Sequence, residues 1–171
     1  MGIFMGKKLN IGCGNDYREE YVNLDNKGSR YACDVRHDLN VFPYPFKEST
    51  FEEVYCSNIL EHLNDVPRTL QELRRITKNQ GIIRIIVPHF SSADVWGDLS
   101  HKRGFSAQSF STDMAAYQGL DGFKLLRQNI QFPGYRFYMR WFANLFKGFY
   151  ENNLAYLFPA STLCVDLEVV K

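Results

Sequence analysis

Short apolar bursts separated by polar punctuation organise the first ninety residues. Lys8-Leu-Asn-Ile11 runs into Gly12-Cys13-Gly14, and Tyr21-Val-Asn-Leu-Asp25 alternates before ending on a carboxylate. Both runs read as strands. Only GCGNDYREE lies between them, shorter than a parallel crossover usually takes. Any helix there is a turn or two at most. Tyr31 to Val35 reads as a short third strand. The prolines of Phe42-Pro-Tyr-Pro-Phe46 keep that run out of regular structure. Glu53-Val-Tyr-Cys-Ser57 is a fourth strand. Val66, Leu70, Leu73 and Ile76 then recur at helical spacing, with Asp65 as a cap, Pro67 in the first turn and Gly81 beyond the end. Ile82 to Val87 is β-branched and nearly continuous, the pattern of a central strand covered on both faces.

Beyond Pro88 the pattern lapses into a long loop, His89 to Gly104, of a length that often carries function. Residues 106–118 read as helix, 123–132 as strand, and 137–158 as a helical or mixed segment rich in aromatics. Leu163 to Val170 alternates and closes the chain as a half-buried strand. Strands alternating with helices predict a single α/β domain over residues 1–171. Its expected form is a Rossmann-like, doubly wound, mostly parallel sheet with an antiparallel C-terminal edge hairpin strand and an abbreviated first helix.

Composition narrows the function classes. A length of 171 residues buries a real core, and 45% hydrophobic with 23% charged residues is globular material. A formal net charge of +1 offers no broad attraction to nucleic acid or an anionic membrane. Cys13, Cys33, Cys56 and Cys164 form no C-x-x-C pair, so neither a disulfide framework nor a zinc ribbon is indicated, and a reducing cytoplasm is the expected home. No apolar run of membrane-spanning length occurs. The four histidines include no H-x-x-x-H pair, so a metal hydrolase is disfavoured and no metal is expected.

In an open α/β sheet, ligands bind beyond the carboxyl ends of the strands. Gly12 and Gly14 at the first strand's tip allow close backbone approach to a ligand. The dinucleotide fingerprint needs a third glycine where Tyr17 stands, which argues against a nicotinamide enzyme. Asp25, at the second strand's tip, suits the two hydroxyls of a ribose. Asp34 and Asp38 follow beside the third strand.

The ordered set LNIGCGND, YVNLD, CDVRHDLNVFPYPF, CSNILEHL and RTLQELRRITKNQGIIRIIVP resembles class I S-adenosylmethionine-dependent methyltransferases, over about residues 8 to 88. A weaker echo, Asp98-x-x-His101-x-Arg103, follows. The resemblance implies S-adenosyl-L-methionine as cofactor. It implies that Gly12, Cys13 and Gly14 pass the methionine portion, with backbone amides near its carboxylate. Asp25 would hold the ribose and Asn26 flank the adenine. Asp38 would bond the adenine amino group, Leu39 would supply backbone and apolar contact, and Ser57 and Asn58 would lie beneath the sulfonium. The family's acidic residue before the glycine turn is here Asn10.

Methyl transfer to a hydroxyl needs a base within hydrogen-bond reach. The 89–105 loop offers His89, Asp94, Asp98 and His101, with His101 preferred because Asp98 can orient it. In Glu61-His62, His62 reads either as a helix-start side chain hydrogen-bonded within the fold or as a residue near the cofactor or acceptor. The family's D/N-P-P-Y motif for planar nitrogen acceptors is replaced by CSNIL, and no basic stripe interleaved with aromatics suggests nucleic acid. A small-molecule acceptor is therefore expected: a hydroxyl or amine of a metabolite, sugar or lipid-like compound. The 89–105 loop and the aromatic 133–160 segment are its expected neighbours. The aromatics equally suit core packing, a subunit contact in a homodimer, or a membrane surface. The rival class is a non-catalytic module that binds S-adenosylmethionine or a partner protein on the same fold.

Overall fold

The computed structural model describes residues 7–111 and 121–171. Seven strands, β1 (Lys7–Ile11), β2 (Tyr21–Asp25), β3 (Val35–Arg36), β4 (Phe51–Ser57), β5 (Thr77–Pro88), β6 (Phe123–Gln131) and β7 (Thr162–Val169), form one sheet in the order β3-β2-β1-β4-β5-β7-β6. β1 to β5 pair in parallel, and β7 runs antiparallel between β5 and β6. This is the Rossmann-like topology expected, with the C-terminal hairpin at the edge. Among the described residues the α-helices are α1 (Val66–Ile76), α2 (Ala93–Gly97), α3 (Met139–Leu145) and α4 (Lys147–Asn153).

Register shows how the sheet is covered. Pairing aligns Val22, Leu9, Val54, Ile83 and Leu167 in one row and Leu24, Ile11, Cys56, Ile85 and Val165 in another. Both rows lie in the core with Leu70, Leu73 and Ile76 of α1 and Tyr150 of α4. The alternate positions, Asn23, Asn10, Tyr55, Arg84 and Asp166, align on the opposite face. That face is polar. β5 is therefore not covered on both sides as expected: Ile83, Ile85 and Val87 are buried, Ile82 and Ile86 are half-buried, and Arg84 is exposed.

The first crossover contains no helix at all, where a turn or two was expected. The chain from Gly12 to Glu20 instead folds back over the polar face. The buried Asn10 donates to Asp16 O (2.6 Å) and Asn23 Oδ1 (3.1 Å). Asn23 Oδ1 accepts Arg18 N (3.0 Å), and its amide donates to Arg18 O (2.9 Å). The Arg18 guanidinium then lies 3.7 Å from the Tyr55 ring centre. Two buried asparagines thus satisfy a loop backbone that a helix would satisfy internally.

The third strand is shorter and later than predicted, Val35–Arg36 rather than 31–35. α1 matches its periodicity, and Asp65 Oδ1 accepts Arg68 N as its cap (2.9 Å). Residues 107–110 form a 3-10 turn, and the rest of the helix expected over 106–118 lies largely outside the described residues. Phe42 to Phe46 is irregular, as its prolines require, and is fastened to α1. Glu72 Oε1 accepts Tyr44 N (2.7 Å) and the Arg75 guanidinium (2.6 Å), which also reaches Tyr44 O. Burial alone would raise the Glu72 carboxyl, but Arg75 and the Tyr44 amide outweigh it and hold the pKa below the usual value.

A folded pKa below the unfolded one stabilises the fold above the unfolded pKa and is lost as pH falls through the folded one. Glu72→Gln is therefore expected to cost about 1.5–3 kcal/mol at pH 7. The gap to the parent should narrow as pH drops below about 4.3, the ordinary glutamate value. Urea unfolding at several pH values measures it, and a gap that is constant from pH 7 to 3 would contradict the assignment.

Candidate active site

β1, β2 and β4 are neighbours, so their carboxyl ends bring Gly12, Asp25 and Ser57 to one edge. Gly12 has φ +66°, and a Cβ there would lie 2.4 Å from Ile59 Cγ1. Gly14 has φ +49° and faces open space, with nothing within 4 Å of its Cβ position. The amides of Gly12 and Cys13 both donate to Leu24 O (2.8 and 3.1 Å). Gly14 N donates to Asp25 Oδ2 (3.2 Å), and Asn26 N donates to Asp25 Oδ1 (2.8 Å). The expectation that the turn's amides face a ligand carboxylate is thus corrected: they fasten β1 to β2. The Cys13 thiol is buried and points toward Ala32 O (3.7 Å), and burial pushes its pKa up to about 11. The Cys13 thiol is thus no nucleophile, and the residue's carbonyl accepts Asp16 N (2.8 Å).

Each Asp25 oxygen accepts one backbone amide, and a carboxylate has about two acceptor positions per oxygen. Among the described residues, one position on each oxygen is left without a donor. Asn26 is exposed, its Oδ1 accepting Gly28 N (3.0 Å). Asp34 is committed to the fold: it accepts the Tyr17 hydroxyl (2.9 Å) and Asn23 N (2.7 Å). Asp38 Oδ1 accepts Asn40 N (2.9 Å), and among the described residues Oδ2 has no partner. The Leu39 side chain is buried and its carbonyl accepts the Tyr44 hydroxyl (3.0 Å), so apolar contact with a ligand is not its role and its amide is what remains. Ser57 is half-buried at the tip of β4. Asn58 is exposed in the left-handed region (φ +50°), its amide tied to Ile86 O (2.9 Å).

Of the three expected catalytic residues, the structure brings two together. His101 Nε2 lies 3.7 Å from Asp98 Oδ2, and His101 N donates to Asp98 O (3.1 Å). His89 is corrected to a structural role. It is fully buried: its Nδ1 accepts Ser91 N (3.3 Å), which leaves Nε2–H to donate to Glu151 Oε1 (3.2 Å). Glu151 also accepts Ala107 N (2.6 Å), so this carboxylate joins the end of β5, the 3-10 turn and α4. A histidine with both nitrogens engaged and no exposure takes no proton from an acceptor.

A further group stands beside His101. Glu61 lies in the 3-10 turn Leu60–His62 that follows β4, fully buried, and among the described residues neither carboxylate oxygen is hydrogen-bonded. The loop carrying His101 docks on it: Lys102 N donates to Glu61 O (2.9 Å) and Lys102 Nζ to Asn64 Oδ1 (2.5 Å). Glu61 Oε1 is 3.9 Å from His101 Nε2, and the His62 and His101 rings meet edge to face at 4.6 Å. Burial pushes the Glu61 carboxyl up to about 7, with His101 drawing it only partly back. Local spacing in the sequence hid this cluster, because its members come from segments about forty residues apart. The available signal was a charged residue between Leu60 and Leu63, both buried.

The C-terminal aromatics divide between roles. Tyr150 is fully buried, while Phe137, Trp141 and Tyr156 are more than 70% exposed. A cleft of about 580 Å³ opens between the 89–105 loop, β6 and α4, lined in part by Phe90, Ser106, Gln128, Lys147 and Glu151. Three strand spacings, about 14 Å, separate β6 from β4. The cleft suits a remote part of an acceptor and not its reacting atom. Among the described residues, no helix is long and apolar enough to cross a membrane.

Comparison with known proteins agrees with this geometry. A methyltransferase-domain family matches residues 13–85. The uncharacterized protein MJ0638 of Methanocaldococcus jannaschii is 31% identical over 136 residues, covering 71% of this chain and 56% of that protein. Human mitochondrial arginine-hydroxylase NDUFAF5 is 28% identical over 121 residues, covering 61% of this chain and 33% of that one. The chain thus spans about half or less of these relatives. Among solved structures, a SAM-dependent methyltransferase from Archaeoglobus fulgidus superposes with a TM-score of 0.68 at 16% identity, over 96% of this chain and 86% of that one. Residues 13–85, which run from the glycine turn across the strand tips, thus match a methyltransferase-domain family, and the fold is one shared with S-adenosylmethionine-dependent methyltransferases.

Proposed function

We propose that this chain transfers a methyl group from S-adenosylmethionine to a hydroxyl or amine of a small molecule. The observation that supports it most is the Gly14–Asp25 pair: open space above one residue and, among the described residues, a free acceptor position on each oxygen of the other. These residues fit the cofactor. Bound there, it would supply an electrophilic methyl carbon whose bond to sulfur breaks, with the electron pair staying on sulfur, as the bond to the acceptor forms.

The remaining work falls to the chain. Gly12 and Gly14, with the Cys13 thiol turned toward Ala32 O, give the methionine arm a floor of main chain. Asp25 accepts both ribose hydroxyls, Asn26 flanks the adenine, Asp38 accepts from its amino group, and the Leu39 amide faces the ring. Ser57 and Asn58 lie beneath the sulfonium and set the line of attack. His101, steered by Asp98, takes the acceptor's proton. Phe90 and the exposed aromatics of residues 133–160 supply apolar surface for the rest of the acceptor.

Titration calorimetry with S-adenosylmethionine and its demethylated product tests the first half; saturable binding with Kd at or below about 100 μM, inside the range usual for enzyme substrates, is expected. A methyl-transfer assay over hydroxylated metabolites, sugars and lipids tests the second. Binding without transfer to any of them would favour a non-catalytic module, a reading that the turn amides committed to Leu24 and Asp25 also suit. No binding at all would end both.

A further inference from the structure

We propose that Glu61, His62 and His101 bind one divalent transition-metal ion of the zinc class. One nitrogen of each imidazole and one Glu61 oxygen lie within 4.8 Å of one another. Bonds of about 2.0–2.2 Å to a shared ion need these atoms about 3–3.5 Å apart. The side chains must draw in by roughly an ångström, within rotamer reach, and the backbone already holds them through the pairing of Lys102 N with Glu61 O.

Two independent features point to a missing ligand. Glu61 is fully buried, yet among the described residues neither of its oxygens, nor the buried His101 Nδ1, has a hydrogen-bond partner. An uncompensated buried carboxylate is costly unless paired or coordinated to a metal. The Glu61–His101 separation of 3.9 Å is too long for a hydrogen bond to meet that need.

The surrounding bonds also set the proton on His62. Ser100 Oγ lies 2.6 Å from Asp98 Oδ1 and 3.0 Å from His62 Nδ1. Its single proton goes to the carboxylate, which only accepts. His62 Nδ1 must therefore carry hydrogen and donate to Ser100, leaving the Nε2 lone pair for an ion. A ligating histidine whose other nitrogen is held through a carboxylate-anchored partner is the usual support of a metal site.

Two imidazoles and one carboxylate leave a tetrahedral ion one open position, as in catalytic rather than structural zinc sites. The site stands independently of methyl transfer. If the proposed transfer also holds, an acceptor hydroxyl in the open position would lose its proton to solvent more readily. The ion would then replace His101 as the group that activates the acceptor.

The test uses the whole chain, stripped with chelator and titrated with Co²⁺ and then Zn²⁺. One Co²⁺ per chain is expected, with visible absorption of a four- or five-coordinate ion that equimolar Zn²⁺ abolishes, and a thermal midpoint raised by Zn²⁺. Glu61→Gln and His101→Ala should lose the absorption and weaken binding at least 100-fold. Metal-free Glu61→Gln should melt higher than the parent, because the buried charge is gone. Ser100→Ala changes an exposed residue outside the ligand set and keeps the protein folded should the buried variants fail. It is expected to bind about 10- to 100-fold more weakly, as for a supporting partner. No absorption from the parent chain, or the same affinity in Ser100→Ala and in whichever of Glu61→Gln and His101→Ala folds, overturns the proposal. Neither readout involves S-adenosylmethionine, so failure here leaves the transfer reading intact.

Discussion

Alanine at position 12 is expected to cost several kcal/mol of stability, whereas alanine at position 14 costs about 1 kcal/mol and acts mainly on ligand binding. Both glycines have positive φ, but their surroundings differ. A methyl group on Gly12 would lie 2.4 and 2.6 Å from Ile59 Cγ1 and Cδ1 and 2.9 Å from its Cβ, closer than packing allows. Rotating Ile59 relieves the first two contacts but not the third, so the start of the 60–62 turn must shift. Backbone strain of about 1–2 kcal/mol and overpacking of about 1–3 kcal/mol act together. Against a usual domain stability of about 5–15 kcal/mol, that is a large share. Gly12→Ala with Ile59→Ala should recover part of the overpacking and none of the strain. Gly14→Ala meets no neighbour, and should instead weaken S-adenosylmethionine about tenfold, roughly 1.4 kcal/mol. Denaturant unfolding and calorimetry on the same samples separate the two effects. Equal stability losses at 12 and 14 would contradict the roles assigned here.

That contrast marks where the sequence is legible. Gly12, Asp25 and Ser57 sit at strand tips because a glycine, a carboxylate and a polar residue each terminate an apolar alternation, and period two survives into the sheet. The same periodicity placed Arg84 opposite Ile83 and Ile85. Reading the run as continuously buried overlooked that one charge, which records a sheet polar on one face. The absent first helix was foreshadowed by the nine residues, 12–20, between the strands. Its replacement was not, because Asn10, Asn23 and Asp34 become a network only once β1, β2 and β3 are side by side. His89 looked reactive from its place in a long loop, but Glu151, more than sixty residues later, claims it. The Glu61-His62 dipeptide reads locally as a helix start, and the burial of Glu61 beside His101 depends on the loop that docks on it through Lys102 N. Local pattern carries the strands and the edge where they end. The bonds closing over that edge come from distant segments, and no spacing rule reaches them.

Replacing Asp25 by asparagine should weaken S-adenosylmethionine binding about 100-fold, near 2.7 kcal/mol, the size of one or two hydrogen bonds to a charged acceptor. The carboxylate serves four donors in the bound state proposed here: Gly14 N, Asn26 N and two sugar hydroxyls. Asparagine has one oxygen, and its NH₂ turns a donor toward groups that themselves donate. Either the turn keeps its amide bond and the sugar loses a partner, or the reverse. Asp25→Glu keeps the charge but carries it one carbon further, past Gly14 N, and should fall between the two. Asp34→Asn is the matched control. Its oxygens face Tyr17 and Asn23 rather than the glycine turn, so it should reduce stability while moving the dissociation constant less than threefold. Calorimetry on folded samples of all three variants reads the difference. Asp25→Asn binding within twofold of the parent would mean that the ribose is held elsewhere, and the orientation of the nucleoside along the strand tips would have to be reversed.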